Sequence, residues 1–179
     1  LFYSAILFLS CLSVFAQSVS EGNVFYPEAA KEAQVVCGNA RFTVLTPRLI
    51  RMEWAENAVF EDKATLGIVN RNLPVPEFKV KKSSSKTVIT TSDLTLEYKG
   101  TGKFDANNLS VTFTMTDPSS KKGVKKVTWR PGMDDSANLL GTARTLDKCD
   151  GEKTLEPYDK GILSRDGWAI VDESDRHVF

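Results

Sequence analysis

From Val35 onward, apolar and polar residues alternate with a period of two, the mark of strands that bury one face. Phe42 and Val44 alternate with Arg41, Thr43 and Leu45, Thr46-Pro47-Arg48 turns the chain, and Ile50, Met52 and Trp54 then alternate with Arg51 and Glu53. This predicts a hairpin whose corner is set by proline, because the ring fixes φ there. Further strands are predicted at 66–69, 78–81 and 87–91. Leu94, Leu96 and Tyr98 stand opposite Thr95, Glu97 and Lys99, Val111, Phe113 and Met115 stand opposite Thr112 and Thr114, and Val127 and Trp129 close the series. The one helical pattern, Glu28-Ala-Ala-Lys-Glu-Ala33, has room for a turn or two. Short strands punctuated by Ser, Asp, Gly and Pro, with no helices between them, predict an all-β fold, an antiparallel β-sandwich or barrel. Trp54, Tyr98, Phe113 and Trp129 are its expected core, whereas Phe60, Phe104 and Tyr158 fall off the buried phase and are expected at the surface.

Beyond Trp129 the periodicity stops. Residues 130–176 carry Pro131, Pro157 and five glycines, yet also Leu139, Leu140, Leu146, Leu155, Ile162, Leu163 and Trp168. Long loops in compact domains are functional or disordered, and this one is too apolar for a solvated tail. It reads as a long ordered loop region that packs against something.

At 179 residues, with 41% hydrophobic and 26% charged positions, the chain has the composition of one globular domain. Net charge is zero, but residues 1–130 hold 17 Lys/Arg against 12 Asp/Glu and residues 131–179 hold 6 against 11. The bases cluster in turns, at Lys81-Lys82 with Lys86 and at Lys121-Lys122 with Lys125-Lys126, which fits solvated hairpin tips better than a nucleic-acid face. Residues 1–16, LFYSAILFLSCLSVFA, are uncharged and apolar and end in a small residue. They read as a signal peptide, shorter than the roughly 20 residues of a membrane span, and lacking its positive start and initiator Met. The expected product is exported, periplasmic or extracellular, with no membrane contact after cleavage. Residues 17–33 form a linker or short helix, and 34–179 form the sandwich.

Removal of the signal peptide leaves Cys37 and Cys149. A disulfide between them would close a loop long enough to contribute about 4 to 5 kcal/mol in the chain-entropy account. Two unpaired thiols are the alternative. The single histidine, His177, is the third residue from the end and supports neither a histidine metal site nor a Ser-His-Asp arrangement. Asp147, Asp150 and Glu152 lack the alternating spacing of a calcium loop, and no phosphate-cradling glycine pattern opens a helix. No metal and no cofactor are expected. Asp134, Asp135, Asn138, Arg144, Asp147, Arg165 and Asp166 remain as polar candidates in the loop. Arg and Asp there can offer bidentate hydrogen bonds to sugar hydroxyls or carboxylates, or staple the loop to itself, the reading favoured here.

Two stretches of the loop then carry a resemblance. Asn138-Leu-Leu-Gly-Thr-Ala-Arg-Thr-Leu-Asp147 and Gly161-Ile-Leu-Ser-Arg-Asp-Gly-Trp-Ala-Ile-Val-Asp172 resemble segments of glycoside hydrolase family 31, the α-glucosidase and α-xylosidase group. The hairpin from Gly38 to Trp54 resembles an early hairpin of the same family, about a hundred residues upstream and in the family's order. The likeness spans roughly residues 34–176. It implies a galactose mutarotase-like β-sandwich at the front of a retaining α-glycosidase, with a catalytic (β/α)8 barrel to follow. The family's nucleophile motif, a Trp followed by an acidic stretch, has no counterpart here: Trp54 precedes Ala55, Trp129 precedes Arg130, and Trp168 precedes Ala169.

The resemblance therefore implies a fragment without catalytic residues, whose partners are its own missing barrel and the parent's oligosaccharide substrate. Arg144, Asp147, Arg165 and Asp166 become candidates for the substrate rim or for bracing the loop. The competing reading is a self-standing carbohydrate-binding sandwich. Such a module stacks sugars on exposed rings, and most rings here fall on the buried phase.

Overall fold

The alternation between Gln34 and Trp54 folds into three antiparallel strands, β1 (Gln34–Cys37), β2 (Ala40–Thr46) and β3 (Leu49–Trp54), with β2 in the middle. The computed structural model describes residues 25–141, 160–175 and 177–179. The expected signal peptide, Arg144, Asp147, Cys149 and Tyr158 lie outside the described residues. β1 and β2 meet at Gly38-Asn39, where Gly38 takes φ +59°. Tight hairpins need such left-handed backbone, and glycine adopts it without a Cβ clash. β2 and β3 turn at Pro47-Arg48, as the alternation predicts, with a register shift between Val44 and Thr46.

A second sheet follows, built from β4 (Lys79–Lys82), β5 (Lys86–Thr90), β6 (Leu94–Lys99), β7 (Leu109–Thr116) and β8 (Val124–Trp129), paired antiparallel in chain order. The fold is thus an all-β sandwich of three strands against five. The helical pattern at 28–33 yields only the 3-10 turn Lys31–Ala33. The strand expected at 66–69 does not form. There the Thr65 backbone N–H and hydroxyl both reach the Ile68 carbonyl, which curls the segment and leaves Leu66 exposed.

One aromatic cluster joins the sheets. Phe42 on β2 meets Tyr98 on β6 edge-on at 5.4 Å, and Phe104 lies 5.6 Å from Phe42 and 5.4 Å from Tyr98. Phe104 therefore belongs to the core, against the expectation that it is exposed. The loop after β6 folds back because the Tyr98 hydroxyl donates to the Gly102 carbonyl at 2.5 Å and Trp54 Nε1 donates to the Thr101 carbonyl at 3.0 Å. Period-two counting cannot see this, since Phe104 is not in a strand.

β2 also departs from the one-face pattern, with every side chain from Ala40 to Leu45 buried. Its second face carries Arg41, which donates two bonds to Glu53, at 2.8 and 3.0 Å, and one to Asp62 at 2.6 Å, beneath the Phe60 ring at 4.8 Å. Burial alone would disfavour the Arg41 charge; the Glu53 and Asp62 hydrogen bonds outweigh it and hold its pKa above the usual guanidinium value. Arg51 joins Glu53 at 3.0 Å and the Glu61 carbonyl at 2.9 Å. Arg71, 2% exposed, donates to the carbonyls of Pro27, Asp62 and Lys63. Burial, and then the charge of Arg51, pull its pKa down. These arginines pin residues 59–73 across the back of the small sheet. The tail closes over the same segment, with Thr65 bridged to Val178, Phe179 N–H bonded to the Ala64 carbonyl and Gly67 N–H to Glu173 Oε1.

Phe42→Ala is expected to lower the unfolding free energy by about 3 to 5 kcal/mol, and Tyr98→Phe by about 1 kcal/mol, in urea titrations. Arg41→Met is expected to cost about 1.5 to 3 kcal/mol, because it removes two of the three bonds to the largely buried Glu53 carboxylate and leaves it with Arg51 alone. Arg48→Met, which breaks an exposed pair with Asp93, should leave the urea midpoint unchanged; equal losses for the two arginines would contradict the buried network.

Candidate functional site

The two resemblance-bearing stretches meet in space, and a single asparagine joins them. Asn138 is buried, and its Nδ2 donates to the Gly161 carbonyl at 3.0 Å while its Oδ1 accepts from the backbone N–H of Gly161 at 3.0 Å and of Leu140 at 2.8 Å. Backbone bonds extend the seam, from Leu139 N–H to the Leu163 carbonyl at 2.9 Å and from Arg165 N–H to the Ala137 carbonyl at 3.1 Å. A primary amide suits this place because it supplies donor and acceptor at once. Gly161 is required beside it: an added Cβ would sit 2.6 Å from the Leu140 carbonyl oxygen. Leu140 itself takes φ +63°, an unusual backbone for a branched residue, held by its bond to Asn138.

Lys160 adds an ion pair to Asp135 at 2.7 Å, on the same seam. The other Asp135 oxygen is buried with no hydrogen-bond partner among the described residues. The neighbouring Asp134 is held below the usual carboxylate range by hydrogen bonds from Ser136.

Past the seam, residues 162–171 cross the inner face of the large sheet. Gly167 turns there with φ +76°, pressed so close to Met115 and Phe113 that a Cβ would lie 3.0 and 3.3 Å from them. Trp168 then packs on Trp129, with ring centres 6.2 Å apart. This anchor and the Asn138 seam fix the strap at both ends of its described part. Between them the apolar side chains face outward: Ile162 is 77% exposed, Leu163 65%, Leu139 52% and Leu140 47%.

Of the residues singled out from sequence, Arg165 is exposed and Asp166 half-buried beside the seam, and neither side chain forms an ion pair among the described residues. Asp166 takes part through its backbone N–H, which donates to Ser164 Oγ at 3.1 Å. Arg144 and Asp147 lie in the segment outside the described residues. Within the described part the brace is Asn138 and backbone hydrogen bonds, where sequence reasoning favoured Arg–Asp staples. Asn138 stands among the polar candidates, between a polar run and two leucines, and is of a type that bonds to nearby backbone. Cys37 is half-buried on β1 beside Thr87; burial pushes its thiol pKa up, and Cys149, the other cysteine of the disulfide weighed above, is not among the described residues. No cluster of His, Cys, Asp or Glu among the described residues is arranged to hold a metal ion.

Asn138→Ala leaves the Gly161 carbonyl and two N–H groups without their partner. It is expected to loosen the strap, seen as faster amide exchange at Leu139 and Arg165; exchange matching the parent protein would show the seam is dispensable. Because the raised pKa lowers the thiolate fraction at any given pH, Cys37 is expected to react with iodoacetamide at pH 8 more slowly than free cysteine, and a rate equal to or above that of free cysteine would contradict its burial. Among known proteins, no family model and no curated sequence matches this chain.

Proposed function

We propose that this chain is the non-catalytic N-terminal β-sandwich of an exported, retaining α-glycosidase of the family 31 type. In this reading the strap docks on the catalytic barrel and lends Arg144, Asp147, Arg165 and Asp166 to the rim of the active site or to bracing the loop beside it. One observation carries the proposal. The stretch that resembles the family also holds Leu139, Leu140, Ile162 and Leu163 outward on a seam of directed hydrogen bonds. Exposed apolar patches rimmed by polar residues mark interaction surfaces, and a rigid seam is costly to build for side chains that touch only water. Arg165 and Asp166 flank the patch, where charge fits the polar edge of an interface.

The competing reading, a free-standing carbohydrate-binding module, would have to use Phe25, Tyr26 and Phe179, large rings exposed among the described residues. Trp54, Trp129 and Trp168 are all committed to contacts within the sandwich.

Three measurements test the proposal. The gene should encode, in frame beyond Phe179, a barrel bearing two catalytic aspartates; a stop codon directly after Phe179 would sink the idea. The chain by itself is expected to show no turnover of p-nitrophenyl α-glucoside, so activity surviving purification would refute it. Leu139→Asp with Leu163→Asp is expected to convert a self-associating chain into a monomer in light scattering, whereas a parent protein already monomeric at high concentration would remove the argument from the patch.

A further inference from the structure

Three strands lie over five, and the mismatch leaves a groove of about 780 Å3 beside β3. Ile50 and Met52 form one wall, Phe113 and Met115 line the side toward β7, and Trp129 and Trp168 line the side toward the strap. The groove is continuous with the sandwich interior, since Ile50, Met52 and Trp168 also pack on its buried cluster. At its mouth Arg48 and Asp93 neutralise each other at 2.5 Å, so an occupant brings no compensating charge.

The second requirement comes from the backbone. β3 ends its sheet: β2 pairs with it on one side, and among the described residues nothing bonds its backbone on the other. A row of free N–H and C=O groups thus borders an apolar trough. Edge strands of this kind are templates for another chain unless lysine, proline or a bulge blunts them. The large sheet protects its own outer edges that way, with Lys79, Lys81 and Lys82 on β4 and Lys125 and Lys126 on β8. β3 carries no lysine or proline, the register shift of the β2–β3 ladder is confined to its Leu49 end, and its inward side chains are Ile50, Met52 and Trp54. A saccharide or a lipid chain could satisfy one of the two features. An extended peptide satisfies both, offering main-chain bonds along one edge and a side chain toward the groove at every second residue.

We propose that the groove receives an extended segment of a partner polypeptide, with apolar side chains at alternate positions, which pairs with β3 as a fourth strand of the small sheet. Ile162 of the strap borders this groove, whereas the exposed Leu139, Leu140 and Leu163 lie outside it, and the inference needs none of those leucines.

The test uses the full chain and a capped, water-soluble peptide, Lys-Thr-Val-Thr-Ile-Thr-Val-Lys, with hydrogen exchange read residue by residue. Saturable binding is expected, with slowed exchange on β3. A second peptide of the same sequence, N-methylated at alternate residues on the pairing edge, keeps every side chain but loses the strand bonds, and is expected to bind at least about tenfold more weakly. Met52→Asp, which places a carboxylate in the groove, should abolish binding in a variant that keeps its near-ultraviolet circular dichroism. The proposal is overturned by absence of binding, by equal binding of the two peptides, or by protection that falls anywhere but on β3.

Discussion

The edge-on contact of Phe42 with Tyr98, closed by Phe104, is where the two sheets become one body, because these rings bring apolar area from both sheets and from a loop to one point. Aromatic pairs of this geometry add about 0.5 to 1.5 kcal/mol beyond their area burial, so the cluster fixes relative position as well as supplying stability. Its placement decides what else the fold can do. With Phe42 at the centre of a three-stranded sheet, that sheet covers the large one up to β6 and falls short over β7 and β8. The uncovered faces of Phe113, Met115 and Trp129 are what the strap and the groove share.

The back of β2 is held by different physics. An arginine buried against carboxylates is stable only if nearly all its donors find partners, and Arg41 meets this with Glu53, Asp62 and the Glu61 carbonyl. Arg71 meets it mostly with carbonyls, leaving Nη1 without a partner among the described residues. Such a network contributes less net stability than the aromatic cluster, but its directed bonds specify where residues 59–73 lie. That segment in turn receives the tail through Thr65, Gly67 and Ala64. The tail and the strap are one stretch of chain, so the strap is tied at Trp168 to the large sheet and at Glu173 to the back of the small one.

Much of this was legible in the sequence where a single rule governs. The Pro47 hairpin and the alternation of β6 and β7 follow from one buried face each, and the Gly38-Asn39 pair could have announced the β1–β2 turn. Reading failed where two layers met. Arg41 alternates as a surface residue should, and only the return of residues 59–73 buries it. Phe104 owes its burial to hydrogen bonds of Tyr98 and Trp54, and 66–69 looks like a strand until Thr65 and Glu173 bend it. The polar residues of the loop were recognised as candidates, yet the weight fell on charge. The residue that joins the two stretches is a neutral amide, because a buried seam of backbone groups asks for matched donor and acceptor and offers no countercharge.

The central claim is that a rigid seam, built by Asn138, holds an apolar surface outward. Amide hydrogen exchange on the isolated chain tests it most directly. The account predicts that the N–H groups of Leu139, Leu140, Gly161 and Arg165 exchange slowly, with protection comparable to the strands, while the side chains beside them remain open to solvent. Exchange at the rate of an unstructured peptide at those four amides would contradict it.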